Sequence, residues 1–486
     1  MSEPSPTPYT PGVNPEAEKR EGYTEARHRV RRRDRSLRRL LMVSLLAPIV
    51  GAGAGLVDVI FRIALEQADG LRNSLIALAH GTPVIGFILV VAGCSLTAGF
   101  GALLVRRLSP HASGSGIPQV EAALNNELTP TPSGLLPVKF LGGLSAIGGG
   151  LALGREGPSV QMGAVVAHLV GQWFRHSEEE LRLLLAAGAG AGLAVAFNAP
   201  IAGAVFVLEE LVRRFEARMT IVALGASSTA ILVSRLFLGD EPDFHVAIKV
   251  PMLTGTGPLP YTPEASWILF IVLGIVTGVA ASIYNRGILG ALILNQRLDR
   301  VPVEAKAAAV GAVVGIVGWF SPNLIGGGDS ITQSVLSGGV VFSAIPLAFL
   351  VRFVLGPLSY AARTPGGLFA PLLVLGAQLG LFCGLISARL FPHLGIQPEA
   401  FAIVGMAAFF TGMVQAPVTG IVLVTEMTAA FTTLLPMLAA CFSAMLIAHL
   451  LRTTPIYDAL LERVIAQAHP DRYRETTAEA TSVIGH

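Results

Sequence analysis

Residues 142–163 read Gly-Leu-Ser-Ala-Ile-Gly-Gly-Gly-Leu-Ala-Leu-Gly-Arg-Glu-Gly-Pro-Ser-Val-Gln-Met-Gly-Ala, apolar enough for lipid yet carrying Arg155 and Glu156 at the centre. Charged side chains at membrane depth are costly and mark function. Gly148, Gly149, Gly150 and Gly154 interrupt a helix before the pair, and Pro158, suited to a first helical turn, starts another. The spacing puts Glu156 at a helix N-terminus, where free backbone N–H groups and the positive end of the dipole hold anions, a carboxylate included. A broken helix aimed into a protein-lined cavity is how a transporter holds an anion without exposing loop backbone to lipid.

Of the 486 residues, 52% are hydrophobic and only 14% charged, with a mean hydropathy of +0.64. Those values exclude an ordinary soluble globule and leave an all-α polytopic membrane protein. The apolar runs are continuous, whereas the strands of a membrane barrel alternate. Cys94, Cys383 and Cys441 stand singly in apolar segments without metal-ligand spacing and read as packing residues. No metal or other cofactor is expected. The net charge of +2 gives no reason to expect nucleic acid.

Residues 1–39 read as an N-terminal tail, polar and disordered over 1–25 and then basic from Arg27 to Arg39, with no apolar core of a signal peptide. Arginines directly before the first apolar run assign this tail to the cytosol. Residues 40–238 form a first transmembrane half, with apolar segments at about 40–64, 83–105, 135–153, 157–174, 181–197, 200–211 and 219–238. Residues 239–264 are a polar linker holding Asp240, Glu241 and Asp243 without a basic excess, expected outside. Residues 265–465 form the second half, with segments at about 266–294, 307–320, 335–357, 367–391, 401–414 and 418–450, and 466–486 read as a cytosolic C-terminal tail. Arg106, Arg107, Arg213, Arg214, Arg218, Arg297, Arg300 and Lys306 mark cytosolic loops. Several segments are shorter than the roughly 20 residues a full span needs, so broken and tilted helices are expected.

The two halves echo each other. Asn198-Ala199-Pro200-Ile201-Ala202-Gly203 matches Gln415-Ala416-Pro417-Val418-Thr419-Gly420, and each block is followed six residues after its glycine by an acid, Glu209 or Glu426. Each also lies downstream of a glycine-rich helix start ending in proline, Pro158 or Pro371. An internal repeat of this kind places its site where the halves meet at mid-membrane.

Four stretches can build one site: Gly114-Ser115-Gly116-Ile117-Pro118, Gly154-Arg155-Glu156-Gly157-Pro158, Gly366-Gly367-Leu368-Phe369-Ala370-Pro371, and Tyr457 in Pro455-Ile456-Tyr457-Asp458. The second is the strong signal. The first by itself reads as a serine-capped turn, the third as a kink in a packed bundle, and the fourth as an interfacial tyrosine. Glu210 is the acid that the repeat does not require, since Met427 fills its place in the second half. Its plain reading is a solvated helix-end carboxylate near Arg213 and Arg214; its functional reading is a proton-transfer station.

The four stretches in this order resemble the CLC-type chloride channels and transporters, over about residues 35–465. The resemblance implies an inverted repeat of broken, tilted helices, assembled as a homodimer in a bacterial inner membrane with both termini cytosolic. It implies that Ser115, with Gly116 and Ile117, and Tyr457 flank a dehydrated chloride aided by the backbone N–H groups of Leu368 and Phe369. Arg155 and Gly157 would shape the helix start on the anion path. Glu156 would be the gating glutamate and outer proton acceptor, its carboxylate leaving the outer anion position when protonated. Glu210 would be the inner proton glutamate that separates exchangers from channels. The implied function is exchange of chloride for protons, both of them substrates, with passive chloride conduction as the alternative. Two positions depart from the family: Gln119 stands where an acid is common, and Tyr360 where an apolar aromatic is expected, at a place assigned to the extracellular vestibule. An intramembrane serine hydrolase with Ser115 as nucleophile and His111 as base is a distant rival, lacking an orienting acid.

Overall fold

The computed structural model describes residues 15–129, 133–174, 177–246 and 263–469, with side chains from Leu41 and, after the linker, from Trp267. The first half forms α1 (Pro15–Ala79), α2 (Pro83–Leu108), α3 (Ile117–Leu124), α4 (Leu135–Gly148), α5 (Glu156–Trp173), α6 (Glu178–Phe197), α7 (Pro200–Phe206) and α8 (Ala217–Leu238). The second forms α9 (Pro263–Arg297), α10 (Val303–Phe320), α11 (Asp329–Leu336), α12 (Ile345–Ala361), α13 (Phe369–Leu390), α14 (Pro398–Val414), α15 (Pro417–Thr428) and α16 (Leu434–Leu450), with α17 (Ile456–Ala468) after the repeat. Nine helices among the described residues are long and apolar enough to span a membrane.

The order matches helix for helix. The counterparts α3 and α11 are each eight residues long and start after a glycine at positive φ, Gly116 (+91°) and Gly328 (+99°). Helices α6 and α14 both end on a left-handed residue, Asn198 or Gln415, which turns the chain so that Pro200 or Pro417 begins the next helix. Glycines let equivalent pairs touch: a Cβ on Gly163 of α5 would strike the Gly188 carbonyl of α6, and one on Gly376 of α13 that of Gly405 on α14. The repeat acids exchange caps. Glu209 accepts the Val418 and Thr419 N–H groups at 3.0 and 2.6 Å, and Glu426 accepts those of Ile201 and Ala202 at 3.2 and 2.7 Å. Each carboxylate thus satisfies the open N-terminus of the other half's short helix.

Four sequence readings change. Segment 335–357 is not one span: its first two residues end α11, most of which precedes it, Gly338 (φ +71°) turns the chain, and α12 begins at Ile345. Segment 418–450 is likewise α15 and α16, separated at Ala429 (φ +52°). The first apolar run continues to Ala79, its Arg62 and Arg72 bonded within the protein. The disordered reading of 1–25 is replaced from Pro15 onward, where a stretch rich in Glu, Arg and Ala continues into the first span as helix; 1–14 lie outside the described residues, as does 470–486 of the C-terminal tail.

The molecule has two distinct ends. At one, linker residues Glu241–His245 lie over the bundle: the Glu241 carbonyl accepts from Asn198, Asp243 pairs with Arg62, the Phe244 N–H donates to the Met427 carbonyl, and His245 binds the Gln333 amide. At the other, the basic loops gather, with Arg106 on Glu304 and Arg213 on Asp458.

Candidate anion and proton site

Three helix starts converge between these ends. The Gly154 and Gly367 backbones exchange hydrogen bonds of 2.9 and 2.7 Å, while the Gly114 N–H donates to Thr364 and its carbonyl accepts from Gly366. These short ladders tie the loops before α3, α5 and α13 into one cradle. Close approach is what the glycines permit: a Cβ on Gly157 would stand 2.6 Å from both Ser115 O and Oγ. The turn before α3 rests on Lys139, fully buried in α4, whose Nζ donates to the Ala112 and Gly114 carbonyls at 3.1 and 2.8 Å.

Glu156 is the first residue of α5 and completely buried. Its Oε1 accepts the Phe369 N–H at 2.5 Å, and its Oε2 has no partner among the described residues. The carboxylate therefore takes an open backbone donor at the start of α13, and the Phe369 N–H expected on the central chloride serves Glu156 in this conformation. Ser115 and Tyr457 are also buried, and neither hydroxyl oxygen has a hydrogen-bond partner among the described residues. Unpartnered hydroxyls beside two helix starts are donors available to an anion. Tyr457 packs 5.8 Å from the Phe369 ring, which Phe197, Phe206 and Phe410 also contact. Gly116 and Ile117 open α3, and Leu368 caps the start of α13.

Arg155 turns away from Glu156. Its guanidinium binds the Ala196 carbonyl at 3.0 Å and faces Asp243 and Asp329 at 3.5 and 3.4 Å. With Arg62 and Asp69 it lines a cavity of about 310 Å3 that reaches Gly154 from the linker end. From the basic end a cavity of about 330 Å3 reaches Ser113 and Gly114. The cradle lies between them.

Glu210 stands apart from the cradle, in a short π-helical turn (Val207–Leu211) after α7. It is 5% exposed and its Oε1 has no partner, so the solvated helix-end reading does not hold. Arg213 is close but pairs with Glu121 at 3.2 Å and with Asp458, while its Nε donates to the Glu210 backbone carbonyl. Ion pairing thus goes to those two acids and not to Glu210 as expected. Tyr360 lines the basic-end cavity and not the linker-end vestibule. The hydrolase reading loses its geometry, because among the described residues no hydrogen bond joins Ser115 Oγ to a histidine base.

Lys139 and Asp243 escaped the sequence reading. A lone lysine in the apolar run 135–148 was the available signal for the first; Asp243 looked like one of several linker acids, and its pairing with Arg62 and Arg155 exists only after folding.

Residues 94–449 match the family model described as voltage gated chloride channel. The chain is 36% identical over 460 residues to the H(+)/Cl(-) exchange transporter ClcA of Salmonella arizonae, covering 91% of this chain and 94% of that protein. Among solved structures it is similar to a slow cyanobacterial Cl-/H+ antiporter, with a TM-score of 0.80, 33% identity and coverage of 88% and 98%. A CLC-type fluoride/proton antiporter shares the fold at 24% identity and a TM-score of 0.69, over 84% of this chain and 95% of that one.

Proposed function

The chain belongs to the voltage gated chloride channel family, and on that premise we propose that it is a secondary active antiporter exchanging chloride for protons, with Glu156 as the group both ions share. The observation that carries this reading is the Glu156 carboxylate on the Phe369 N–H, standing between two cavities that approach from opposite ends. An ionised carboxylate there competes with chloride for the same donor. Protonation removes the charge that holds it and lets an anion take its place. One acid then couples proton binding to chloride movement, because each ion displaces the other from one position.

Chloride at the centre of the cradle is held by Ser115 and Tyr457 with the N–H groups opening α3 and α13, while Lys139 fixes the turn before α3 through the Gly114 carbonyl. Glu210 collects protons from the basic end, which the distribution of arginines assigns to the cytosol. Transient water carries protons from its carboxylate to that of Glu156. Lipid surrounds the apolar outer faces, and two copies associate as a homodimer in a bacterial inner membrane; a monomeric mass in mild detergent would count against that assembly.

The test is flux in proteoliposomes. A chloride gradient should drive protons uphill, and the reversal potential should depend on both gradients. A reversal potential fixed by chloride alone would replace exchange by passive conduction.

A further inference from the structure

We propose that the Tyr360 hydroxyl is a ligand of the passing anion at the basic-end mouth of the cradle, and that it helps set which anion the protein prefers. The inference rests on the antiport reading above. Tyr360 lies at the end of α12, is 6% exposed, and lines the basic-end cavity. A Cβ on Gly114 would meet its Oη at 3.3 Å, so the phenol lies against the turn that presents Ser115.

The cavity in front of it is suited to anions. Its lining includes Arg363 and Arg463 with His111, Gln119, Asn295 and Gln467, and no carboxylate. Arg463 Nη1 is buried and has no hydrogen-bond partner among the described residues. A guanidinium donor left open in a cavity with no acid attracts an anion and is stabilised by one. Arg363 is held near this cavity by its contact with Gln467 at 3.4 Å.

An anion passing from this cavity to the cradle exchanges water for protein donors. The Tyr360 hydroxyl, beside Gly114, is met on the cavity side; the unpartnered hydroxyls of Ser115 and Tyr457 follow. Each donor matters more to a strongly hydrated anion than to a weakly hydrated one, because more lost water must be replaced. Chloride is the more strongly hydrated of chloride and nitrate. An apolar ring at this position would fill the same space and offer no replacement donor.

Tyr360→Phe tests the assignment, since it removes one oxygen and little else. Chloride and nitrate binding would be titrated calorimetrically in detergent, and chloride and proton flux recorded in proteoliposomes. Loss of one hydrogen bond to an ion should weaken chloride binding about tenfold. Nitrate should weaken less, and the proton-to-chloride ratio should be unchanged. Equal binding of both anions by wild type and Tyr360→Phe would make the phenol a packing group only. Wild-type protein that neither binds chloride nor exchanges it would instead defeat the antiport reading itself. If Tyr360→Phe does not yield folded protein, Arg463→Gln supplies a second measurement: the half-saturating chloride concentration from the basic end should rise several-fold, and an unchanged value refutes the cavity as an anion route.

Discussion

Replacing Glu156 by glutamine should tighten chloride binding and abolish proton coupling together. In the structure the carboxylate holds the Phe369 N–H at 2.5 Å at the start of α13, so chloride must displace it. A hydrogen bond to a charged acceptor contributes about 1.5–3 kcal/mol and a neutral one about 1 kcal/mol, so the amide gives up roughly 0.5–2 kcal/mol. Loss of the charge–dipole attraction at the helix start removes about 0.3–1 kcal/mol more. The competitor is therefore weaker by about 0.8–3 kcal/mol, which is about 4- to 160-fold in chloride affinity at that position. Titration calorimetry on Glu156→Gln reads the affinity, and chloride-driven proton uptake in proteoliposomes reads the coupling. Chloride binding no tighter than in wild type would refute the competition argument. Proton pumping that survives would refute Glu156 as the shared group, whatever the affinity.

Glu210→Gln keeps size and hydrogen bonding but cannot titrate; chloride flux should persist while uphill proton movement falls below about a tenth of wild type, one power of ten being about 1.4 kcal/mol. Ser115→Pro removes a hydroxyl and an N–H from the cradle and should move the chloride-to-nitrate binding ratio toward nitrate by about tenfold; an unchanged ratio makes Ser115 a turn residue. Glu209→Ala and Glu426→Ala each remove the cap of the other half's short helix and should cost about 0.5–2 kcal/mol, read as a similar fall in thermal midpoint for both, with the proton-to-chloride ratio unaltered. If Glu209→Ala alone abolishes proton coupling, that acid is more than a cap.

The helical membrane class and the repeat were legible in sequence because they depend on local features: long apolar runs, glycine breaks, proline starts and the Asn-Ala-Pro and Gln-Ala-Pro blocks. The short helices were harder. Apolar residues on both sides of the turns at Gly338 and Ala429 made 335–357 and 418–450 read as single segments, although the first runs from the end of α11 into α12 and the second forms α15 and α16. Arg155 and Glu156, adjacent in sequence, looked like one charged feature. The helix start sends their side chains to different places, one to Asp243 and Asp329 and the other to the Phe369 N–H.

What the sequence determined by itself was which residues carry donors, acids and breaks, since those are properties of side chains and of local backbone. Only the tertiary structure decided which of them meet. Gly114, Gly154 and Gly367 come from loops far apart in the chain and join through backbone hydrogen bonds that have no residue signature. Glu210 shows the same limit, because a carboxylate after a short helix reads as solvated until distant packing buries it. Tyr360 shows it again: its residue type was visible as a departure, but the end of the pathway it faces is fixed by contact with Gly114 and the basic-end cavity. Burial and aim depend on groups brought together across hundreds of residues, and no local spacing encodes them.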